Sequence, residues 1–242
     1  MDRTLVSRAL ADALTFVLPV DCAGCDAPDI ALCEECRSAL QPEPFSQQLG
    51  SLRVWSGMRF EGVAARVLRA LKEEGRTSLA PSLAPAITAS LIRLGEADAL
   101  LATMPTSRAS MRRRGYRVTE LLVRRAGLRP ARVLRPTRAT GDQRGLSAEE
   151  RRANTAGSMI ASGVRGRGVI VIDDVVTTGA TLREAERALV AAGADVVGAV
   201  TVAATPLHLR RRPRNAGFGE TSVSPVTRRG GETTVGEPEG DG

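Results

Sequence analysis

Hydrophobic runs and amphipathic segments alternate along this chain, and their order predicts an α/β fold. Five short apolar runs are typical of buried strands and lie at 52–60, 99–104, 133–134, 169–172 and 196–203. Between them, apolar residues recur at helical spacing, which predicts helices at 63–74, 81–94, 118–126 and 182–192. Strands that alternate with helices favour a mostly parallel sheet with helices on both faces, and such sheets bind ligands where their strands end.

Differences in composition divide the chain into three expected domains. Residues 1–50 hold an amphipathic helix at 4–18 and a cysteine-rich stretch, whereas residues 51–205 carry the α/β pattern. Residues 206–242 are rich in Gly, Pro, Arg and Glu, and we expect a disordered basic tail there because little in this segment can be buried.

Two segments lack apolar periodicity. The first, 41–50, bears Pro and Gln residues and is interpreted as a linker. The second, 136–157, is interpreted as a mobile loop with a short helix at 149–153, because long irregular loops inside compact domains often act as lids.

The segment 168–182, GVIVIDDVVTTGATL, carries the clearest chemistry in the chain. A β-branched strand leads into two adjacent acids, Asp173 and Asp174, and a hydroxyl-rich loop precedes the next helix. The loop residues are Thr177, Thr178, Gly179, Ala180 and Thr181. A helix N-terminus attracts anions, so this loop fits a phosphate, while the carboxylates can bind sugar hydroxyls or Mg²⁺. The segment therefore predicts a site for a phosphorylated ribose.

A plainer interpretation of the same segment stays open. Thr181 would cap a helix and the two acids would be a solvated strand end, since short motifs produce false matches. The segment is not a Walker loop, because no Gly-Lys-Thr follows, and it lacks the spaced glycines of a dinucleotide-binding fingerprint.

A second basic segment follows the predicted strand at 99–104, after Pro105. The segment carries four arginines and ends at a glycine: Arg108, Arg112, Arg113, Arg114 and Gly115. Four guanidinium groups in a loop at a strand's carboxyl end are placed to bind pyrophosphate. A solvated run of charge is the alternative.

Four cysteines form two C-x-x-C pairs near the N-terminus, Cys22 with Cys25 and Cys33 with Cys36. Such pairs can place four thiolates tetrahedrally around Zn²⁺, which leaves no open position for catalysis and predicts a structural site. A redox role is the alternative for a C-x-x-C pair, but no strand precedes either pair in the thioredoxin manner.

Charge and composition narrow the classes of ligand. The formal net charge is +7 and the sequence pI is about 10.4, which favours anionic partners unless the excess lies in the tail. Lys72 is the only lysine among 34 cationic residues, so it is a candidate phosphate contact that uses a compact ammonium. With no convincing signal peptide and no membrane-length apolar run, we expect a cytoplasmic protein with reduced cysteines.

Several motifs occur together, in one order, over residues 20–205. They are the four-cysteine finger, Leu71-Lys72-x-x-Gly75, Met104-Pro105, Arg114-Gly115-Tyr116, Gln143-x-Gly145-Leu146-Ser147, Glu150-Arg151-Arg152-Ala153-Asn154 and the segment from Asp173 to Thr181. The last resembles the phosphoribosyl-pyrophosphate (PRPP) motif of type I phosphoribosyltransferases. The whole set resembles the ComF family of bacterial phosphoribosyltransferase-like proteins, which is associated with competence and DNA uptake. The chain departs from the family's pattern at Arg117, where Asn is usual, at Thr106, and at 157–159, where a Phe commonly occurs.

The resemblance implies a type I phosphoribosyltransferase core, Rossmann-like, with a zinc finger in front. It implies binding of PRPP or a nucleotide with Mg²⁺, in which Asp173 and Asp174 hold the ribose. Two functions are compatible with it: phosphoribosyl transfer, or a non-catalytic role in binding single-stranded DNA or the DNA-uptake machinery. The second is opposed by the shortage of aromatic residues, because single-strand binders stack bases on them.

Overall fold

The computed structural model describes residues 20–96, 98–137 and 157–205. The helix predicted at 4–18, most of the loop predicted at 136–157 with its short helix, and the tail predicted at 206–242 lie outside the described residues. None of the helices in the described ranges is long and apolar enough to cross a bilayer.

A mostly parallel six-stranded sheet forms the centre, which confirms the predicted fold class. Its strand order is β1-β2-β8-β7-β3-β4, and only β1 runs antiparallel to its neighbour. The strands of this sheet are β1 (Phe45–Leu49), β2 (Leu52–Arg59), β3 (Leu100–Thr103), β4 (Pro130–Ala131), β7 (Gly168–Val176) and β8 (Asp195–Ala204). A separate antiparallel pair is formed by β5 (Leu134–Pro136) and β6 (Met159–Ala161).

Six α-helices and one short 3₁₀ turn accompany the strands in the described residues. They are α1 (Glu34–Ser38), α2 (Gly62–Glu73), the 3₁₀ turn Thr77–Leu79, α3 (Ala80–Leu94), α4 (Arg108–Arg114), α5 (Val118–Arg125) and α6 (Ala180–Ala191). Four of them confirm the helices predicted from periodicity. Gly95 ends α3 in the left-handed conformation, where glycine carries no steric penalty.

The sheet has an apolar core on each face, because successive side chains of β7 point in opposite directions. Ile170 and Ile172 join the core formed with α2, α3 and α5. Val169 and Val171 join the core formed with α6 and the β5–β6 pair. Because both faces of β7 are covered, every side chain of its β-branched run is buried, which explains why no polar residue interrupts the run.

Two strand predictions were wrong in detail. The segment 41–50 is not simply a linker, because Phe45–Leu49 forms the edge strand β1 and pairs with β2 around a turn at Gly50. The run at 133–134 does not extend the main sheet. Leu134 pairs with Ala161 in the small β5–β6 sheet, whereas Pro130–Ala131 supplies the strand beside β3.

A charged network ties the β5–β6 pair to α6. The buried carboxylate of Glu184 accepts hydrogen bonds from the Met159 N–H at 3.0 Å and from the Arg187 guanidinium at 2.7 and 2.8 Å. Arg187 also donates to the Met159 carbonyl. Because a buried carboxylate is stable only when paired, this network fixes β6 on the helix that follows β7.

Candidate functional site

The carboxyl ends of β3, β7 and β2 meet at one edge of the sheet, and the site lies there. β7 continues through the two acids to Val176, so Asp173 and Asp174 lie within the strand rather than after it. Asp173 is opposite Thr201 of β8 in the ladder. The backbone of the acid pair is therefore held in the sheet.

The two acids differ in their surroundings. Asp174 is 8% exposed and accepts a hydrogen bond from the Lys72 ammonium, with a distance of 2.9 Å from Nζ to Oδ1. Asp173 is only partly buried, and its Oδ1 accepts a hydrogen bond from the Asp174 N–H at 2.8 Å. Loss of hydration and the charge of Asp174 raise the pKa of Asp173 to about 8, although the Asp174 N–H and Lys72 oppose the shift.

The loop after the acid pair ends at an open helix N-terminus. Gly179 is the N-cap of α6 and offers no side chain to cap it, while the Ala180 N–H donates a long hydrogen bond of 3.4 Å to the Thr178 hydroxyl. The φ of 72° at Gly179 favours glycine, and a Cβ at this position would overlap the Leu49 side chain. Gly179 is thus required for its backbone conformation and for packing against β1, in addition to any approach of the backbone to an anion.

The arginine-rich segment that was predicted as a loop is the helix α4. Ser107 caps it by accepting a hydrogen bond from the Ser110 N–H at 3.1 Å, and Gly115 ends it with a φ of 78°. Arg114 is half-buried, and its Nε is buried without a hydrogen-bond partner in the described part of the chain. The other three arginines of the segment, Arg108, Arg112 and Arg113, are exposed.

These elements enclose a cavity of about 460 Å³. Its lining consists of Phe60, Lys72, Pro105, Thr106, Ser107, Ser110, Arg114, Val118, Thr119, Asp173, Asp174, Val175 and Thr177. Five residues singled out from the sequence meet here: Lys72, Arg114, Asp173, Asp174 and Thr177. The remaining predicted residues do not line the cavity and are Arg108, Arg112, Arg113, Gly115, Thr178, Gly179, Ala180 and Thr181.

Several lining residues were missed by the sequence reasoning. Thr106, Ser107 and Ser110 follow the end of β3 just as Thr177 follows β7, so the same hydroxyl-rich signal was present but was hidden by the arginines. Phe60 carried no local signal beyond its place directly after β2.

Tyr116 fixes the spacing between two sides of the cavity. Its hydroxyl donates to the carbonyl of Leu71, the residue before Lys72. Burial raises the pKa of Tyr116, so the phenol stays protonated and remains a donor. The contact links the end of α2 to the chain that follows α4, and so relates Lys72 to Arg114.

The four cysteines form a compact cluster that is positioned to bind a metal ion. All four Sγ atoms lie within 4.8 Å of one another, and the Sγ atoms of Cys25 and Cys33 are 3.6 Å apart. A tetrahedral Zn²⁺ site with bonds of about 2.3 Å requires sulfur separations of about 3.8 Å, so the cluster fits this ion. A Cβ on Gly24 would overlap the Cys36 Sγ, which explains the glycine in the first pair.

Backbone donors favour the thiolate form of one cysteine in this cluster, Cys22. Burial opposes ionisation of Cys22, but the N–H groups of Cys33 and Gly24, at 3.3 and 3.4 Å from its Sγ, help to lower its pKa to about 6. The Cys36 N–H lies 3.5 Å from the Cys33 Sγ. That N–H opposes a raised pKa at Cys33, but burial and the sulfur atoms of Cys25 and Cys22 outweigh it, and burial also raises the pKa of Cys36. The backbone donors therefore favour the ligating thiolate form at Cys22 alone.

The cysteine cluster packs directly on α2, the helix that brings Lys72 to the cavity. Cys22 and Cys36 belong to the same apolar core as α2 and α3. Arg76, four residues beyond Lys72, donates to the carbonyls of Asp21 at 2.7 Å and Ala31 at 2.9 Å. Arg66 of α2 also pairs with Asp26. The cluster therefore supports the helix that presents Lys72 to the acid pair.

Residues 112–218 match the phosphoribosyl transferase domain. The matched phosphoribosyl transferase segment contains Arg114, α5, β7 with its acid pair, and the loop leading into α6. The cysteine cluster and α2, which carries Lys72, precede it. The chain matches no curated protein.

Replacing Asp173 with Asn should stabilise the protein at pH 8 but much less at pH 5. An unfolded Asp ionises near pH ~4, whereas the folded pKa of Asp173 is raised to about 8. The stability contributed by protonated Asp173 is complete below pH ~4 and is lost as the pH rises towards 8, because folding then requires uptake of a proton. The amide of the Asp173→Asn variant cannot ionise, so the variant escapes this loss. Urea unfolding in buffer free of Mg²⁺ and chelator measures the difference.

Asp195→Asn is the matched control, because Asp195 is exposed at the start of β8, far along the strand from the acid pair. It should change the free energy of unfolding by a similar small amount at both pH values. An effect of Asp173→Asn that is equal at pH 5 and pH 8 would contradict the raised pKa.

Proposed function

We propose that the cavity binds PRPP or a nucleotide 5′-phosphate together with Mg²⁺. The observation that carries this proposal is the convergence of the acid pair, the loop that leads to the N-terminus of α6 and the side chain of Arg114 at one edge of the sheet. The match of this segment to the phosphoribosyl transferase domain supports the same assignment.

Each polar group of the cavity has a role suited to its chemistry. Asp173 and Asp174 accept hydrogen bonds from the two ribose hydroxyls. Thr177 lines the cavity and binds the 5′-phosphate, and the backbone N–H groups from Thr178 to Thr181, which lead from the cavity lining into α6, extend this phosphate site. Arg114 lines the cavity and binds the pyrophosphate, because a guanidinium group can donate two parallel hydrogen bonds to phosphate oxygens.

Magnesium fits the oxygen-rich part of the cavity. Carboxylates are ligands that Mg²⁺ takes, usually together with substrate phosphates, and Asp173 and Asp174 supply them here. When bound, the ion neutralises charge on the pyrophosphate. Lys72 already neutralises one carboxylate of the pair, so the protein stabilises the acid pair by its own ammonium before any ligand arrives.

A site of this kind supports phosphoribosyl transfer. The bond between C1 of the ribose and a pyrophosphate oxygen breaks, and pyrophosphate leaves with the electron pair. A bond forms between C1 and a nitrogen of the acceptor base, and that nitrogen loses its proton to solvent. Positive charge develops on the sugar ring during this exchange, and the nearby carboxylates stabilise it. Release of pyrophosphate in the presence of a panel of bases measures turnover.

Calorimetry with PRPP and Mg²⁺ should show binding to the wild-type protein, weakened at least about tenfold by Asp174→Asn. The variant loses a charge-assisted hydrogen bond to the sugar, a type of bond that contributes about 1.5–3 kcal/mol. Asp195→Asn should bind as the wild type does, because Asp195 is exposed and outside the cavity. Absence of binding by the wild type would end the proposal.

A second candidate function, binding of single-stranded DNA in DNA uptake, is favoured by the outer face of α4. Arg108, Arg112 and Arg113 are exposed beside the cavity, and none forms an ion pair within the described ranges. Three such cations can follow the phosphates of a strand whose terminal nucleotide enters the cavity.

Titration of a labelled oligo-dT strand at several salt concentrations tests this function. Each phosphate contact contributes about 0.7 to the slope of log affinity against log salt for single strands, so the triple Arg→Gln variant at these positions should lower the slope by about 2. The double change Arg124→Gln and Arg125→Gln on α5 removes exposed charge elsewhere and should lower it less. Undetectable binding at low salt would rule the function out.

We also propose that the cysteine cluster holds one structural Zn²⁺. The purified protein should contain one zinc per chain, and Cys36→Ser should lose the zinc and lower the melting temperature by several degrees, because Cys36 is buried in the core shared with α2. Metal analysis and thermal unfolding measure both.

All four cysteines of the chain lie in the cluster, so a bound metal ion should protect them from a thiol reagent until a chelator is added. Full thiol reactivity of the untreated, reduced protein would contradict a bound metal.

A further inference from the structure

The cavity lining includes apolar side chains that a sugar phosphate does not use. Its charged residues, called the charged side below, are Lys72, Arg114, Asp173 and Asp174. The apolar lining residues are Phe60, Pro105, Val118 and Val175. Phosphate and ribose hydroxyls gain nothing from such side chains, so the lining indicates a ligand with an additional apolar part.

Phe60 is the only aromatic residue among the described residues that line the cavity, and its position is fixed. Its N–H donates to the carbonyl of Ala204 at 2.7 Å, which anchors it between the ends of β2 and β8. Its ring is partly buried against the core that contains α2. The ring is therefore held in place before a ligand binds.

One face of the ring is already covered by a cation. The guanidinium carbon of Arg69 lies 5.5 Å from the ring centroid, within the range of a cation–π contact. Arg69 and Lys72 are three residues apart on α2, so they lie on the same side of the helix. The ring and Lys72 are thus both on the side of α2 that borders the cavity, which they both line.

We propose that Phe60 stacks against the base of a nucleoside 5′-monophosphate whose phosphate and ribose occupy the charged side of the cavity. This assignment rests on the proposed function and extends it to the base. A flat aromatic ring suits this use because every base has a π-face, so stacking gives affinity without selecting one base. The cation of Arg69 behind the ring helps to hold the ring in its orientation.

The test compares AMP with ribose 5-phosphate, each with Mg²⁺, by calorimetry on full-length protein. The wild type should bind AMP at least about fivefold more tightly than ribose 5-phosphate, the lower end of the range for one stacked base. Phe60→Leu keeps an apolar side chain but loses the flat ring, so it should lose this advantage while its affinity for ribose 5-phosphate stays unchanged. Phe60→Tyr keeps the ring and should retain the advantage.

Phe45→Leu is the matched control. The Phe45 ring lies under the Arg59 guanidinium at a similar 5.6 Å, but it belongs to β1 and does not line the cavity. Its affinities for both probes should equal those of the wild type.

The outcomes separate this inference from the proposed function. Equal affinities of the wild type for AMP and ribose 5-phosphate, or equal weakening of both by Phe60→Leu, would overturn the role of Phe60 while leaving the sugar-phosphate site in place. Failure of the wild type to bind either probe would overturn both proposals.

Discussion

Two adjacent carboxylates in a central strand are the constraint around which this structure is arranged. Their mutual repulsion and their loss of hydration are unfavourable, and the raised pKa of Asp173 expresses that cost. The ammonium of Lys72 offsets part of it through Asp174. Lys72 reaches Asp174 because α2 and the residues after it are held by the cysteine-cluster segment, through Arg66 and Arg76, and by Tyr116 at Leu71. The cysteine cluster and the acid pair are therefore parts of one packed unit.

Local pattern was enough to predict the elements that are buried on both faces. The run from Val169 to Ile172 is typical of a strand that is covered on both faces, and it forms one. The helices with continuous apolar stripes could be predicted because their apolar periodicity is also local in the sequence. The acid pair and Thr177 were found because they interrupt that pattern with groups suited to a sugar phosphate. The grouping of the four cysteines followed from their spacing alone.

Features that depend on distant partners could not be predicted in this way. β1 could not be predicted because Gln47 and Gln48 give its sequence no apolar run. The strand forms because it pairs with β2. The partner of Lys72 is 102 residues away in the chain, so its solitary occurrence could suggest a special role but not a contact. Phe60 has an ordinary local sequence, and only the meeting of strand ends gives it a place in the cavity.

The position of Lys72 has a practical consequence for chemistry on this protein. Since no other lysine occurs in the chain, the only side-chain primary amine lies in the cavity, held 2.9 Å from a carboxylate. An amine-directed reagent therefore meets a single internal target besides the chain terminus. A probe attached there would report on the contents of the cavity itself, without any engineered labelling site.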